Sequence, residues 1–141
     1  MNAMAATLKL EIVTPEAVAL SEDVHMVTVS CFDGQIGIYP EHVPLIAQMV
    51  PGELIVTKDG RESAFAVGEG LVAVTGERVA IMTDLAVRAE DIDEARVEEA
   101  RQRALARLQE KTSDEAIATV NASIVRVLTQ LQVRRRTTRE R

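Results

Sequence analysis

Aromatic side chains are nearly missing from this 141-residue chain, which has no Trp, one Tyr and two Phe. A platform that stacks single-stranded nucleic acid needs such rings, so that class of function is excluded. Excess positive charge is missing too: the formal net charge is −6, which argues against general binding to a phosphate backbone. Cysteine is reduced to Cys31, which leaves no intrachain disulfide and fits a reducing compartment. No stretch approaches the roughly 20 apolar residues of a membrane span. The start, Met1 to Ala6, has neither the basic, apolar build of a signal peptide nor the arginines of a transit peptide. A cytoplasmic setting is therefore expected, with any membrane link made through a partner. Catalytic signatures are lacking: there is no G-x-x-x-x-G-K-[ST] phosphate loop and no G-x-S-x-G elbow. The histidines, His25 and His42, stand in no metal-ligand spacing. Cys31 has no neighbouring His or Lys to activate it and reads as a buried, inert thiol.

What is present is an ordinary globular composition, 47% apolar and 27% charged, in a length that fits one small domain plus an appendage. The charge divides unevenly. Residues 1–88 carry a net −7 and residues 89–141 a net +1, with a basic run at Arg134, Arg135, Arg136, Arg139 and Arg141. An acidic first part and a basic end suggest different partners for each.

The hydrophobic period divides at the same place. Leu8, Leu10 and Ile12 alternate with Lys9 and Glu11, and short apolar runs recur from Val24 to Thr83. Turn signals separate them at Asp33-Gly34, Pro51-Gly52, Asp59-Gly60, Gly68-Glu69-Gly70 and Gly76-Glu77. Lys58-Asp59-Gly60-Arg61 is a hairpin candidate. Many short strands at close spacing predict an antiparallel β-sandwich over residues 1–88.

From Ala89 the period becomes helical. Asp91 and Asp93 open a helix expected to run to about Lys111, with Ile92, Ala95, Ala100, Ala104 and Leu108 along one face. Lys111-Thr112-Ser113-Asp114 supplies N-cap candidates for a second helix. Its apolar residues Ile117, Val120, Ile124, Val127 and Leu131 follow a coiled-coil seam. The two helices form an expected antiparallel hairpin over 89–133, and 134–141 is expected as a basic, irregular end. The fold class is thus α+β by segregated parts, a β-sandwich followed by an α-helical hairpin. Five apolar side chains are few to hold the second helix, so the hairpin is expected to depend on docking.

The most distinctive stretch is Gly34-Gln35-Ile36-Gly37-Ile38-Tyr39-Pro40-Glu41-His42-Val43-Pro44-Leu45. Alone it reads as a structural corner. Its frame resembles the G-E-L-G-I-Y-P-G-H-A-P-L turn of the epsilon subunits of bacterial and chloroplast ATP synthases. Pro51-Gly52, Val67-Gly68-Glu69-Gly70 and Ala89-Glu90-Asp91-Ile92-Asp93 match in order and spacing, so the resemblance covers about residues 7–133. Gln35 and Glu41 depart from it, and Glu41 stands where the family has glycine, which puts the backbone shape of the turn in question.

The resemblance implies a non-catalytic central-stalk subunit of a proton-translocating ATP synthase, held at the cytoplasmic face of the bacterial cell membrane as a peripheral part of the complex. Its partners would be the gamma subunit, the c-ring and, through an extended tail, the catalytic alpha and beta subunits. The implied c-ring and gamma contacts are Asp33, Gly34, Gln35, Gly37, Tyr39, Pro40, Glu41 and His42, at the ring-facing end. In the family the hairpin folds beside the head in one state and obstructs ATP hydrolysis in another. Ile92-Asp93-Glu94-Ala95-Arg96 resembles the motif by which some members bind ATP, which implies a weak regulatory ATP site at Asp93, Arg96, Arg103 and Arg126. Val87, Val97 and Gln130 depart from that motif. Arg134, Arg135 and Arg136 are expected to reach acidic surfaces of the catalytic subunits. No metal and no obligatory cofactor is implied. Three alternatives remain at this level: an ATP sensor that clamps nucleotide in the hairpin, a generic interaction module with a helical docking arm, and a free-standing enzyme on a sandwich, which the lack of any acid–base or metal cluster disfavours.

Overall fold

The computed structural model describes residues 6–110 and 114–139. The first part folds into ten strands: β1 (Leu8–Val13), β2 (Val18–Val24), β3 (Met26–Cys31), β4 (Gly34–Ile38), β5 (Leu45–Met49), β6 (Gly52–Lys58), β7 (Arg61–Val67), β8 (Gly70–Thr75), β9 (Arg78–Thr83) and β10 (Ala86–Arg88). Their order is β10-β7-β6-β3-β5-β8-β9-β1-β2, with β4 paired to β3. Inward residues of alternate positions close the core: Leu8, Leu10 and Ile12 from β1, Val27 and Val29 from β3, Val72 and Val74 from β8, and Val79 and Ile81 from β9. Strand alternation therefore places one apolar face of each layer against the other, as a sandwich requires.

The turns follow the residues available. Asp59 and Gly60 take φ of 52° and 75°, the paired positive values of a two-residue hairpin turn whose twist suits the flanking strands. His25 supports it from outside, since the Asp59 N–H donates to His25 Nδ1 at 3.1 Å. Three features differ from the sequence expectation. The apolar run around Val24 is two strands, β2 and β3, divided at His25. β10 is a three-residue strand. β1 and β9 pair in parallel in an otherwise antiparallel arrangement; parallel pairing depends on chain crossover, which alternation does not encode.

A short 3₁₀ turn, Ala89–Asp91, follows β10. Helix α1 spans Glu94–Glu110 and α2 spans Asp114–Arg139. Asp93 caps α1: its Oδ1 accepts from the N–H groups of Ala95 (3.1 Å) and Arg96 (3.3 Å). The expected caps of α2 at Lys111, Thr112 and Ser113 lie outside the described residues, and Asp114 is already helical. Of the expected α1 face, Ala104 is buried, Ala100 and Leu108 are half-buried, and Ala95 is exposed; Ile92 precedes the helix and buries against the head. The α2 seam holds, with Val120 and Leu131 buried and Ile117, Ile124 and Val127 half-buried. The expectation of an irregular end from residue 134 is corrected: α2 continues through Arg139 because Arg135 and Arg136 find acidic partners on two neighbouring elements.

Candidate interaction surfaces

One end of the outer face of the layer β5-β8-β9-β1-β2 is apolar where solvent would ordinarily select polar residues, while the other end carries Lys9, Glu11 and Arg78. Cross-strand register puts Ile46 beside Ala73 and Ala73 beside Ala80. A second row runs Gln48, Leu71, Met82, Val13, Val18. Ile46 is 74% exposed, Val18 61%, Leu71 45% and Met82 42%. These side chains alternate with the buried Val72, Val74, Val79 and Ile81, so the strands carry apolar residues on both faces. In a sheet, that pattern marks a second face meant to be covered. Sequence reasoning missed this surface. The signal was available in Leu71-Val72-Ala73-Val74 and Val79-Ala80-Ile81-Met82, whose outward positions are as apolar as the inward ones.

The second surface is strand β4 with its flanks. Ile36 and Ile38 turn inward, while Gln35, Gly37 and Tyr39 turn outward and are exposed. Asp33 sits in the β3–β4 turn beside Phe32, itself 75% exposed, and Gly34, the first residue of β4, takes φ 124°. Pro40, Glu41 and His42 follow the other end of the strand. Asp33 and His42 therefore lie beyond opposite ends of β4, a strand about 17 Å long for its five residues at about 3.4 Å each, and the expected interface residues form a strip along one strand. A Cβ on Gly37 would stand 2.9 Å from the Met26 methyl, which explains the glycine.

At the corner, the His42 N–H donates to the Tyr39 carbonyl at 3.2 Å and closes a four-residue turn. Glu41, its third residue, takes φ 66°. The turn has kept the backbone that a glycine would adopt, and Glu41 bears the strain of a left-handed conformation. His42 Nδ1–H donates to the Val43 carbonyl at 2.7 Å, so the ring is oriented by its own loop. Cys31, on neighbouring β3, is buried; burial first, and the Asp33 carboxylate second, push its thiol above the ordinary value, which suppresses the reactive thiolate.

The third surface joins hairpin and head. Ala66 of β7, Ala89, Ile92 and Val133 form a small buried cluster, with Ala64, Val87 and Val97 packed against it. Val87 and Val97, two departures from the nucleotide-binding motif, therefore serve an apolar seal. Of the four residues of the implied ATP site, Asp93 is occupied as a helix cap, Arg96 and Arg103 are exposed, and Arg126 Nη2 donates to the Asp84 carbonyl of the head at 3.2 Å. The groove of about 820 Å³ on the hairpin is lined elsewhere, by Glu98, Arg101, Leu128, Leu131, Gln132 and the arginines 135, 136 and 139. Glu98 accepts from Arg101 (3.0 Å) and Gln102 (3.3 Å) and faces Arg135 at 3.6 Å. Those donors, Arg101 first, hold its carboxyl below the ordinary carboxylate value.

The comparisons with known proteins divide the chain as its architecture does. Residues 7–89 match the family model described as ATP synthase, Delta/Epsilon chain, beta-sandwich domain, and residues 90–134 match the long alpha-helix domain of the same chain. The chain belongs to the ATP synthase delta/epsilon family. It is similar to the ATP synthase epsilon chain of Herpetosiphon aurantiacus, 40% identical over 89% of this chain and 93% of the relative. Against the epsilon chain of Chloroflexus aggregans it is 49% identical over 67% of this chain and 68% of the relative. Among solved structures, a chain of the Euglena gracilis mitochondrial ATP synthase shares the fold at a TM-score of 0.73, with 23% identity, covering 88% of this chain and 79% of that one. Among the described residues no helix is long and apolar enough to cross a membrane.

Proposed function

We propose that this epsilon-type chain is a non-catalytic central-stalk subunit whose sandwich grips a rotating shaft and whose hairpin regulates ATP hydrolysis. The observation that carries the reading is the uncovered apolar patch of Ile46, Leu71, Met82 and Val18 on a head whose core is closed. A face of this kind suits a permanent subunit contact, and the gamma subunit is the partner assigned to it. The β4 strip, from Phe32 and Asp33 through Gln35 and Tyr39 to His42, is assigned to polar loops of the c-ring, which would hold the chain at the cytoplasmic surface of the membrane without a span of its own. The solved chains that share this fold come from ATP synthase assemblies described as OSCP/F1/c-ring and as central stalk/c-ring, which supports a stalk setting beside the ring.

The hairpin is assigned the regulatory part because its apolar contact with the head is small and its polar contacts are breakable. An element near balance can exchange one docking site for another, here the catalytic alpha and beta subunits. ATP is given no role: Asp93 and Arg126 are engaged in bonds within the chain, and Val87 and Val97 fill apolar positions.

The test is capture of gamma by the full chain carrying Leu71→Asp and Met82→Asp. Both side chains face solvent, so the thermal midpoint should stay near wild type. Gamma capture should fall roughly tenfold or more, since charge is placed at the centre of the contact. Undiminished capture by the folded variant would remove the gripping face from the proposal.

A further inference from the structure

We propose that the consecutive arginines Arg135 and Arg136 form a two-way ionic clasp that sets how firmly the hairpin is held to the head. Neighbouring residues on a helix point about 100° apart, and the clasp uses that divergence. Arg135 turns toward α1, where its Nε donates to Glu94 Oε1 at 3.0 Å and its Nη2 stands 3.6 Å from Glu98 Oε2. Arg136 turns toward the sandwich, where its Nε donates to Glu53 Oε2 on β6. One helical turn thus ties α1, α2 and the head together, close to the Ala89 junction.

The position of the clasp gives it leverage. Val133, two residues before Arg135, is the α2 member of the apolar cluster on Ala66, Ala89 and Ile92. Arg136 and Glu53 bracket that cluster from outside, with side-chain exposures of 37% and 18%, so the pair is shielded more than an ordinary surface ion pair. Arg126 adds a bond to the Asp84 carbonyl, a neutral acceptor. Docking therefore rests on a small apolar contact plus charge, and charge is the part that salt, a polyanion or an acidic surface can compete away. The two arginines also have separable tasks: Arg136 holds α2 to the head, and Arg135 holds α1 to α2.

Docking is read in the full chain with spin labels on Glu62→Cys (β7) and Gln132→Cys (α2), both exposed positions. Brief labelling spares Cys31, which is buried. In the wild-type background a single narrow distance distribution is expected at low salt, broadening as ionic strength rises. Arg136→Glu should raise the undocked population about tenfold, since it replaces a shielded attraction with repulsion. The double variant Arg136→Glu with Glu53→Arg should return it toward wild type. Arg135→Glu should leave the Glu62–Gln132 distance in place while a second label pair, on α1 and α2, spreads. Circular dichroism of the strands controls for folding in every variant. An unchanged distribution in folded Arg136→Glu, or a charge swap that restores nothing, overturns the clasp. The clasp matters for hydrolysis only if the chain is the stalk subunit proposed above, but docking is measured in the chain alone, so failure of one is distinguishable from failure of the other.

Discussion

In the head, Leu10, Ile12, Val27, Val29, Ile38, Leu54, Val72 and Ile81 are fully enclosed at 0% exposure, supplied by six different strands. In the hairpin and its junction, no described residue is below 3% exposed, and the inner helix shares its apolar residues between two partners. Leu131 lines a groove with Glu98 and Arg101 of α1, whereas Val133 faces the head. The head is thus closed on its own side chains and can present an apolar outer face without losing its shape. The hairpin is completed by what it leans on. Local stability follows the density of buried apolar contact, so the two regions should open with different free energies. A rigid part joined to a releasable part is what the proposed stalk-and-regulator role requires.

The largest effect that can break this comparison comes from equal insults to each region. Ile81→Ala should cost about 2–5 kcal/mol and lower the thermal midpoint of the whole chain. Val133→Ala should cost about 1.5 kcal/mol of hairpin docking by the methyl groups lost, while the midpoint followed by strand signals stays put. Equal shifts of the strand signal in both variants would show a single shared core. A smaller effect sharpens the account of the head. Replacing Glu41 with glycine relieves the left-handed strain but frees the unfolded chain, for a net gain of about 0.5–1 kcal/mol in denaturant unfolding. A loss would mean that Glu41 makes a contact outweighing its φ of 66°.

The smallest effect concerns the hairpin alone and depends on pH. Glu98 titrates below its ordinary value of 4.5 because the folded state favours its charged form. Its contribution is therefore complete above about pH 4.5 and is lost as pH falls through the lowered folded value. Helix signal should decline in that acid range before strand signal does, and Glu98→Gln should remove the difference.

Much of the architecture was legible because local chemistry and tertiary demand agree. Asp59-Gly60 is a hairpin turn in sequence and in space, and the Val120–Leu131 seam has one period throughout. Other features depend on partners that no window of sequence contains. The break at His25 lies within an apolar run, and the parallel β1/β9 pairing is set by crossover. Arg134–Arg136 looked like a solvated end because three like charges have no period; their ordering comes from Glu53, Glu94 and Glu98, far away in sequence. At the candidate surfaces, the β4 residues were visible as a turn motif, but the strip they form along one edge was not. The apolar outer face was written in the strands and went unread, because a strand apolar on both sides looks like any buried strand until the sheet order shows one side open.

Native-state hydrogen exchange on the full chain tests most directly whether head and hairpin are separable. Amides of β1, β3, β8 and β9 should exchange only through global unfolding, whereas those of α1 and α2 should exchange together through a smaller, earlier opening that leaves the strands protected. Strand and helix amides sharing one opening free energy and one denaturant dependence would contradict the division of the molecule into a rigid grip and a releasable hairpin.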